Sequence, residues 1–348
     1  MLVELFQREG ESLYAAVAYR VSGTDAAPRY ADPIDLTAHV RDGLLLWDVP
    51  EGFWRVFLIF KTQKRGLEEF WDYVDVLNPE SCKLMISQVY QPHYDHFKEY
   101  FGNTLTGFFT DEPVIGNMAK QGMNYCERLG DDSIVLPWRE DLICCIAEAE
   151  GWTEEETKLA LPGFWREIGG KTAALRRRYM DILTQNYSEN FVKPLGKWCK
   201  DHGVLYTGHV LEDMNAHFRF GWSTGHFFRS QEGQHTAGFD LVLQQVKVGS
   251  QDFAHASFNS AKYSDPDFFL YYLGRLGASC GHLYPQMEGR VMCENAGAGG
   301  STENAQVKNK NQLVCNGNTC HLLRSELTDH KVIKQIYKIC NTLMNNHR

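Results

Sequence analysis

Three short apolar runs in this chain end in acidic residues. TLTGFFT (104–110) runs into Asp111-Glu112-Pro113, VLYTGHV (204–210) carries His209 and leads to Glu212-Asp213, and GRVMCEN (289–295) closes on Glu294-Asn295. Two carboxyl groups brought together from separate strands can split an acetal. One, protonated, gives its proton to the leaving oxygen, and the other attacks the anomeric carbon or activates a water. The acid needs a raised pKa, which an apolar strand end supplies by desolvation and a second carboxylate by repulsion. Glu112 follows GFFT and precedes a proline that restrains its backbone, and Glu294 follows VMC and precedes Asn-Ala-Gly. These two are the first choice for the pair. Asp111 is an alternative acid or an orienting neighbour of Glu112, and Glu212 is the rival for the second carboxylate. One glutamate after a strand is ordinarily solvated or caps a helix. Its recurrence on unrelated strand ends carries the reading.

The elements that must hold these residues alternate. Residues 1–62 read as strands, with SLYAAVAYRV (12–21), GLLLWDV (43–49) and FWRVFLIFK (53–61) separated by turn signals at Asp32-Pro33 and Pro50-Glu51-Gly52. From about Tyr73 the pattern becomes helical. Asn78 caps and Pro79 fits the first turn of a helix to Phe101 that places Met85, Val89, Phe97 and Phe101 near one face, and Gly102 stops it. Residues 116–170 form a long excursion with a helix near 139–150. A second long helix covers 171–201, and helix 265–279 precedes the strand at 289–295. FDLVLQQ (239–245) is one more strand or strand end. Helix, then strand, then polar residues implies parallel strands joined by crossovers. The expected fold is α/β: a partial (β/α)8 TIM-like barrel over 71–300, an N-terminal antiparallel β subdomain over 1–70, and an atypical Asn-rich tail over 301–348 with an amphipathic helix at 329–344. In such a barrel the chemistry sits at the C-terminal strand ends.

Composition removes several function classes. Hydrophobic residues at 43% and charged residues at 23% describe a globular chain rather than a disordered one. A net charge of -9 argues against a nucleic-acid partner. No run of 18 apolar residues suggests a membrane span, and MLVELFQREGESL does not read as a signal peptide, so a cytoplasmic chain with its 10 cysteines reduced is expected. No CxxC supports a zinc site, Gly297-Ala298-Gly299-Gly300 lacks the Lys-Ser/Thr of a P-loop, and no GxSxG elbow offers a serine nucleophile. Aromatics at 13% build a core and also suit a sugar cleft.

The run DYVDVLNPESCKLMISQVYQPHYDHFKEYFGNTLTGFFTDEP (72–113) resembles a stretch of large bacterial glycoside hydrolases, the α-L-rhamnosidase-like enzymes related to glycoside hydrolase family 106. WDVPEGFWRVFLIF (47–60) resembles the β insertion before it, and WCKDHGVLYTGHVLEDM (198–214) and GRVMCENAGAGG (289–300) resemble two later barrel strands. The resemblance implies a (β/α)8 catalytic barrel acting on an oligosaccharide or polysaccharide. It implies Glu112 as general acid and Glu294 as base or nucleophile. It places His209, Glu212 and Asp213 in the sugar subsite, His209 bonding a hydroxyl, with Asp111, Asp240 and Asn295 beside them. Some relatives use calcium, for which Glu212 or Asp213 offers oxygens, but no calcium loop is readable and no metal or other cofactor is expected. Relatives carry barrel strands before the β unit with which this chain begins. The chain is therefore expected to be a fragment lacking an N-terminal barrel portion, inactive alone or active with a partner polypeptide.

Two other readings compete. A carbohydrate-binding or vestigial protein would keep the cleft without turnover. A metal-dependent enzyme would use His209, Glu212 and Asp213 as ligands.

Overall fold

A computed structural model describes residues 2–5, 9–63, 68, 73–116, 129–131, 134–211, 223–240, 272–295, 311–316 and 319–323. Contacts divide the chain into two compact units. One comprises Met1–Tyr73, Gly116–Leu183 and Phe220–Trp222, and the other Val74–Ile115, Thr184–Arg219 and Ser223–Arg348.

The N-terminal strands are β1 (Leu2–Glu4), β2 (Glu11–Thr24), β3 (Ala27–Asp35), β4 (Val40–Arg41), β5 (Leu44–Leu46) and β6 (Phe53–Thr62). They make two antiparallel sheets, ordered β3-β2-β6 and β1-β5-β4. In β2 the run Ala15-Ala16-Val17-Ala18 is fully buried. Consecutive apolar residues are buried together only where both faces of a sheet are covered. On one face Ala16 and Ala18 join Leu36, Leu45 and Trp47, with Trp54, Val56, Leu58 and Phe60 of β6 packed against them. The stretch around Asp32-Pro33, a turn by sequence, lies inside β3. β3 is an edge strand, where a proline's missing N–H removes no ladder bond.

The second unit opens with α1 (Pro79–Met85), capped by Asn78, whose side chain accepts from the Glu80 N–H at 3.0 Å. A wider π-type turn at Ile86–Tyr90 leads into α2 (Gln91–Phe97). The extra residue in that turn rotates the apolar face. Of the expected row Val89 and Phe97 are exposed and Met85 and Phe101 are half-buried, while the fully buried side chains are Cys82 and Tyr90. Tyr90 stacks on Phe108 with ring centroids 4.4 Å apart, seating the helices on β7 (Gly107–Asp111).

The excursion returns to the first unit through α3 (Leu142–Glu150) and α4 (Glu154–Ala160). The expected helix at 171–201 is α5 (Thr172–Tyr187), a π-type turn at Ser188–Val192, and α6 (Lys193–Asp201), stopped by Gly203 at φ +72°. Then come β8 (Leu205–His209), β9 (Ala237–Asp240), α7 (Leu273–Leu283), β10 (Arg290–Asn295), β11 (Asn311–Asn316) and β12 (Thr319–Leu323).

β7 pairs with β8 in parallel, and β9 with β10 in parallel. A Cβ built on Gly238 would lie 1.9 Å from the Gly208 carbonyl oxygen, so the glycines let β8 and β9 approach at backbone distance. Phe239 and Val291 join Leu273, Leu276 and Cys280 of α7 in one core. The parallel series then stops, because β11 runs antiparallel to β10 and β12 antiparallel to β11. The fold is thus mixed α/β with several small sheets, and among the described residues no closed barrel forms. The expected helix at 329–344 lies outside the described residues.

Candidate active site

The second unit brings together acidic residues from three strand ends and a histidine from a fourth. In the β7–β8 ladder Asp111 stands opposite His209, and in the β9–β10 ladder Asp240 stands opposite Glu294. Parallel pairing aligns the two ends within each ladder, and the close approach of Gly238 to Gly208 sets the two ladders side by side. Glu112 follows Asp111 directly.

His209 is the centre of the group. Its side chain is 2% exposed. Its Nε2 lies 2.9 Å from Glu294 Oε2 and 3.3 Å from Asp111 Oδ1, and its Nδ1 faces the Val210 carbonyl oxygen at 3.4 Å. Glu294 and Asp240 are buried, whereas the Asp111 side chain is half exposed at 48%. The expected partner of His209 is a sugar hydroxyl. In this structure its Nε2 faces the carboxylates of Glu294 and Asp111, and a buried glutamate needs such a partner.

Glu112 adopts φ +42°, a left-handed conformation that side-chain-bearing residues avoid, and it does so before a proline. Such an outlier at a cleft is a recurrent sign of a functional side chain aimed by its surroundings. Burial pushes its carboxyl up from 4.5 to about 7, with the charge of Asp240 next in weight. Asp111 and Glu294 add to the rise, and His209 opposes it. A carboxylic acid that still holds its proton near neutrality is the kind general-acid chemistry requires.

Deeper supports fix the strands. Thr110 Oγ1 donates to the buried Tyr206 hydroxyl at 2.9 Å, joining β7 to β8. His235 brackets Tyr206, its amide donating to the Tyr206 carbonyl at 2.8 Å and its Nδ1 accepting from the Tyr206 N–H at 2.9 Å. Burial holds the His235 imidazole below its ordinary pKa, with Arg290 and Lys200 adding to the effect. Nothing in the residue pattern singles out His235, since a histidine before a short strand has no distinctive spacing. Gly208 and Gly238 are visible as glycines inside strand patterns, a sign of close backbone approach.

Asp111, His209 and Glu294 offer ligand-type atoms within 4.8 Å of one another, as do Glu112, His209 and Asp240. Calcium takes about six to eight oxygen ligands. Both triads are instead centred on one imidazole, whose Nε2 lies at hydrogen-bond distance from Glu294. Glu212 and Asp213 lie outside the described residues, and Asn295 is placed only by its backbone, at the end of β10 opposite Asn311.

No family model and no curated protein matches the chain. Among solved structures, a rhamnosidase from Novosphingobium sp. PP1Y is similar at a TM-score of 0.42 and 13% identity, over 75% of this chain and 23% of that one. The functional reading therefore stands on the geometry of the site. Among the described residues no helix is long and apolar enough to cross a membrane.

Proposed function

We propose that this unit is the catalytic part of a glycosidase, with Glu112 as general acid and Glu294 as the second carboxylate. The observation that carries the reading is the difference between two neighbouring glutamates: Glu112 is pushed up to about 7, while the Glu294 carboxyl lies against the His209 ring, Oε2 to Nε2 at 2.9 Å. One is suited to give a proton and the other to stay ionised. Glu112 protonates the glycosidic oxygen as the bond to the anomeric carbon breaks. Glu294 then either attacks that carbon or takes a proton from the water that does, and the spacing of the two carboxyls against the bound sugar decides which. Asp111 and Asp240 border the pair and are proposed to contact the sugar. The resemblance of 72–113 to rhamnosidase-like enzymes makes α-L-rhamnosides the first substrates to try.

The test is turnover of a panel of aryl glycosides by the wild type, Glu112→Gln and Glu294→Gln. Each variant is expected to lose about 10²–10⁴ in rate. With an aryl leaving group that departs without protonation, Glu112→Gln is expected to recover activity while Glu294→Gln is not. Unchanged turnover in both variants would remove the proposal. Saccharide binding by calorimetry without hydrolysis would select a binding protein instead.

A further inference from the structure

We infer that His209 is a positioning residue, held as an imidazolium against Glu294 and Asp111, which keeps Glu294 ionised and leaves the proton of the site on Glu112. The inference rests on the two-carboxylate reading and adds to it the group that divides the two roles.

The geometry specifies where the ring carries hydrogen. Nε2 faces carboxylate oxygens at 2.9 Å and 3.3 Å, and an ionised carboxylate only accepts. Nδ1 faces a peptide carbonyl at 3.4 Å, which also only accepts. A neutral ring has one N–H, so against ionised carboxylates either tautomer would set a nitrogen lone pair against oxygen lone pairs; the neutral alternative requires Glu294 to carry a proton and donate it to Nε2. The doubly protonated ring avoids this at both ends. Its burial would be costly for a lone cation, but among the described residues the charged groups that meet it are carboxylates. β7 and its end supply Asp111 and Glu112, β9 supplies Asp240, and β10 supplies Glu294. A cation here is compensated, whereas four carboxylates without it would repel one another and all compete for protons.

The consequence is an ordered site. The imidazolium stabilises the charge of the carboxylate it touches most closely, Glu294. Glu112 feels the ring through its charge and takes the burial and the residual repulsion, so the proton stays there. In this reading His209 acts through Glu294.

The experiment compares wild type with His209→Gln in the full chain. Glutamine keeps an N–H donor near the Nε2 position but carries no charge. First, nitrogen chemical shifts of histidine-labelled wild type at pH 7, with the His209 ring signals assigned by correlation to its own backbone amide, should show both ring nitrogens protonated. A neutral tautomer at pH 7 would overturn the inference, and this readout requires neither turnover nor a folded variant. Second, a carbon-13 titration of the glutamate carboxyls should show the Glu294 ionisation moving up by about one pH unit or more in His209→Gln. An unmoved Glu294 in a folded variant would mean that His209 supplies a hydrogen bond only, and would likewise overturn it. Where an aryl glycoside is turned over, the acid limb of the pH–rate profile should rise by the same amount. Absence of turnover would count against the glycosidase reading while both spectroscopic results stand.

Discussion

Glu112 is under two constraints at once: a left-handed backbone at φ +42° and a carboxyl whose ionisation burial opposes. The second has a thermodynamic consequence. A raised folded-state pKa means that the fold favours the protonated group. Relative to the unfolded chain, that preference is fully present below the ordinary value of 4.5 and is lost as pH rises through about 7. A tenfold change in an ionisation constant corresponds to about 1.4 kcal/mol, so ionised Glu112 costs the fold about 3 kcal/mol at most. Glu112→Gln never ionises. The variant should therefore gain on the wild type between pH 5 and pH 8.5, by about 1–3 kcal/mol in urea unfolding, even as it loses activity. Equal differences at the two pH values would place the Glu112 pKa back in the ordinary range. His209 illustrates what is not legible from sequence at this scale. Its strand and its place near the strand end can be read from VLYTGHV, because an apolar run followed by acids is a local pattern. Its partner, 85 residues away on β10, follows from pairing that no local pattern records.

At the scale of elements, the strands of the site are legible where apolar runs meet polar ends: 104–110 contains most of β7, 204–210 contains β8, and 289–295 contains β10. Helix starts marked by a cap and proline are legible too, as at Asn78-Pro79. The misses have physical causes. A π-type turn changes the helix phase without changing composition, so Val89 and Phe97 face solvent. An edge strand tolerates prolines, so β3 reads as a turn. β11 rests on pairing with β10 and β12 on pairing with β11, and both fall in a tail whose composition suggests no strand. The closest backbone approach offers a direct test. Gly238→Ala would place a Cβ 1.9 Å from the Gly208 oxygen, and this neighbour is backbone that cannot rotate away. The variant should lose about 3 kcal/mol of stability. The Asp240 end should shift by about 1 Å, enough to lower turnover about 100-fold. Gly170→Ala is the control, since nothing lies within 4 Å of a Cβ there. Calorimetry and kinetics showing Gly238→Ala no different from Gly170→Ala would refute the close packing of β8 on β9.

At the scale of the whole molecule, the first compact unit is discontinuous in sequence. The change from strand to helix patterning near Tyr73 suggests a boundary at 70, yet Gly116–Leu183 return to the unit formed by Met1–Tyr73. The joining contacts are specific. The Tyr19 hydroxyl donates to the Leu159 carbonyl at 2.9 Å, Lys158 pairs with Asp35 at 2.9 Å, and the Tyr14 and Trp138 rings meet edge to face at 5.0 Å. Each joins residues far apart in the chain, so the segment 134–168 depends on the N-terminal sheet for part of its fixed structure. Deleting residues 1–73 removes those partners together and leaves Tyr19's site on the α4 end open to water. Local opening of 134–168 should then cost at least about 1.4 kcal/mol less, which is a tenfold larger open population. Proteolysis in the regime where reclosing is fast tracks that population, so chymotryptic cleavage within 134–168 should be at least about tenfold faster in the truncated chain. Cleavage at the wild-type rate would mean that the segment is held by its own contacts, and that the N-terminal strands form a separate domain ending near residue 73.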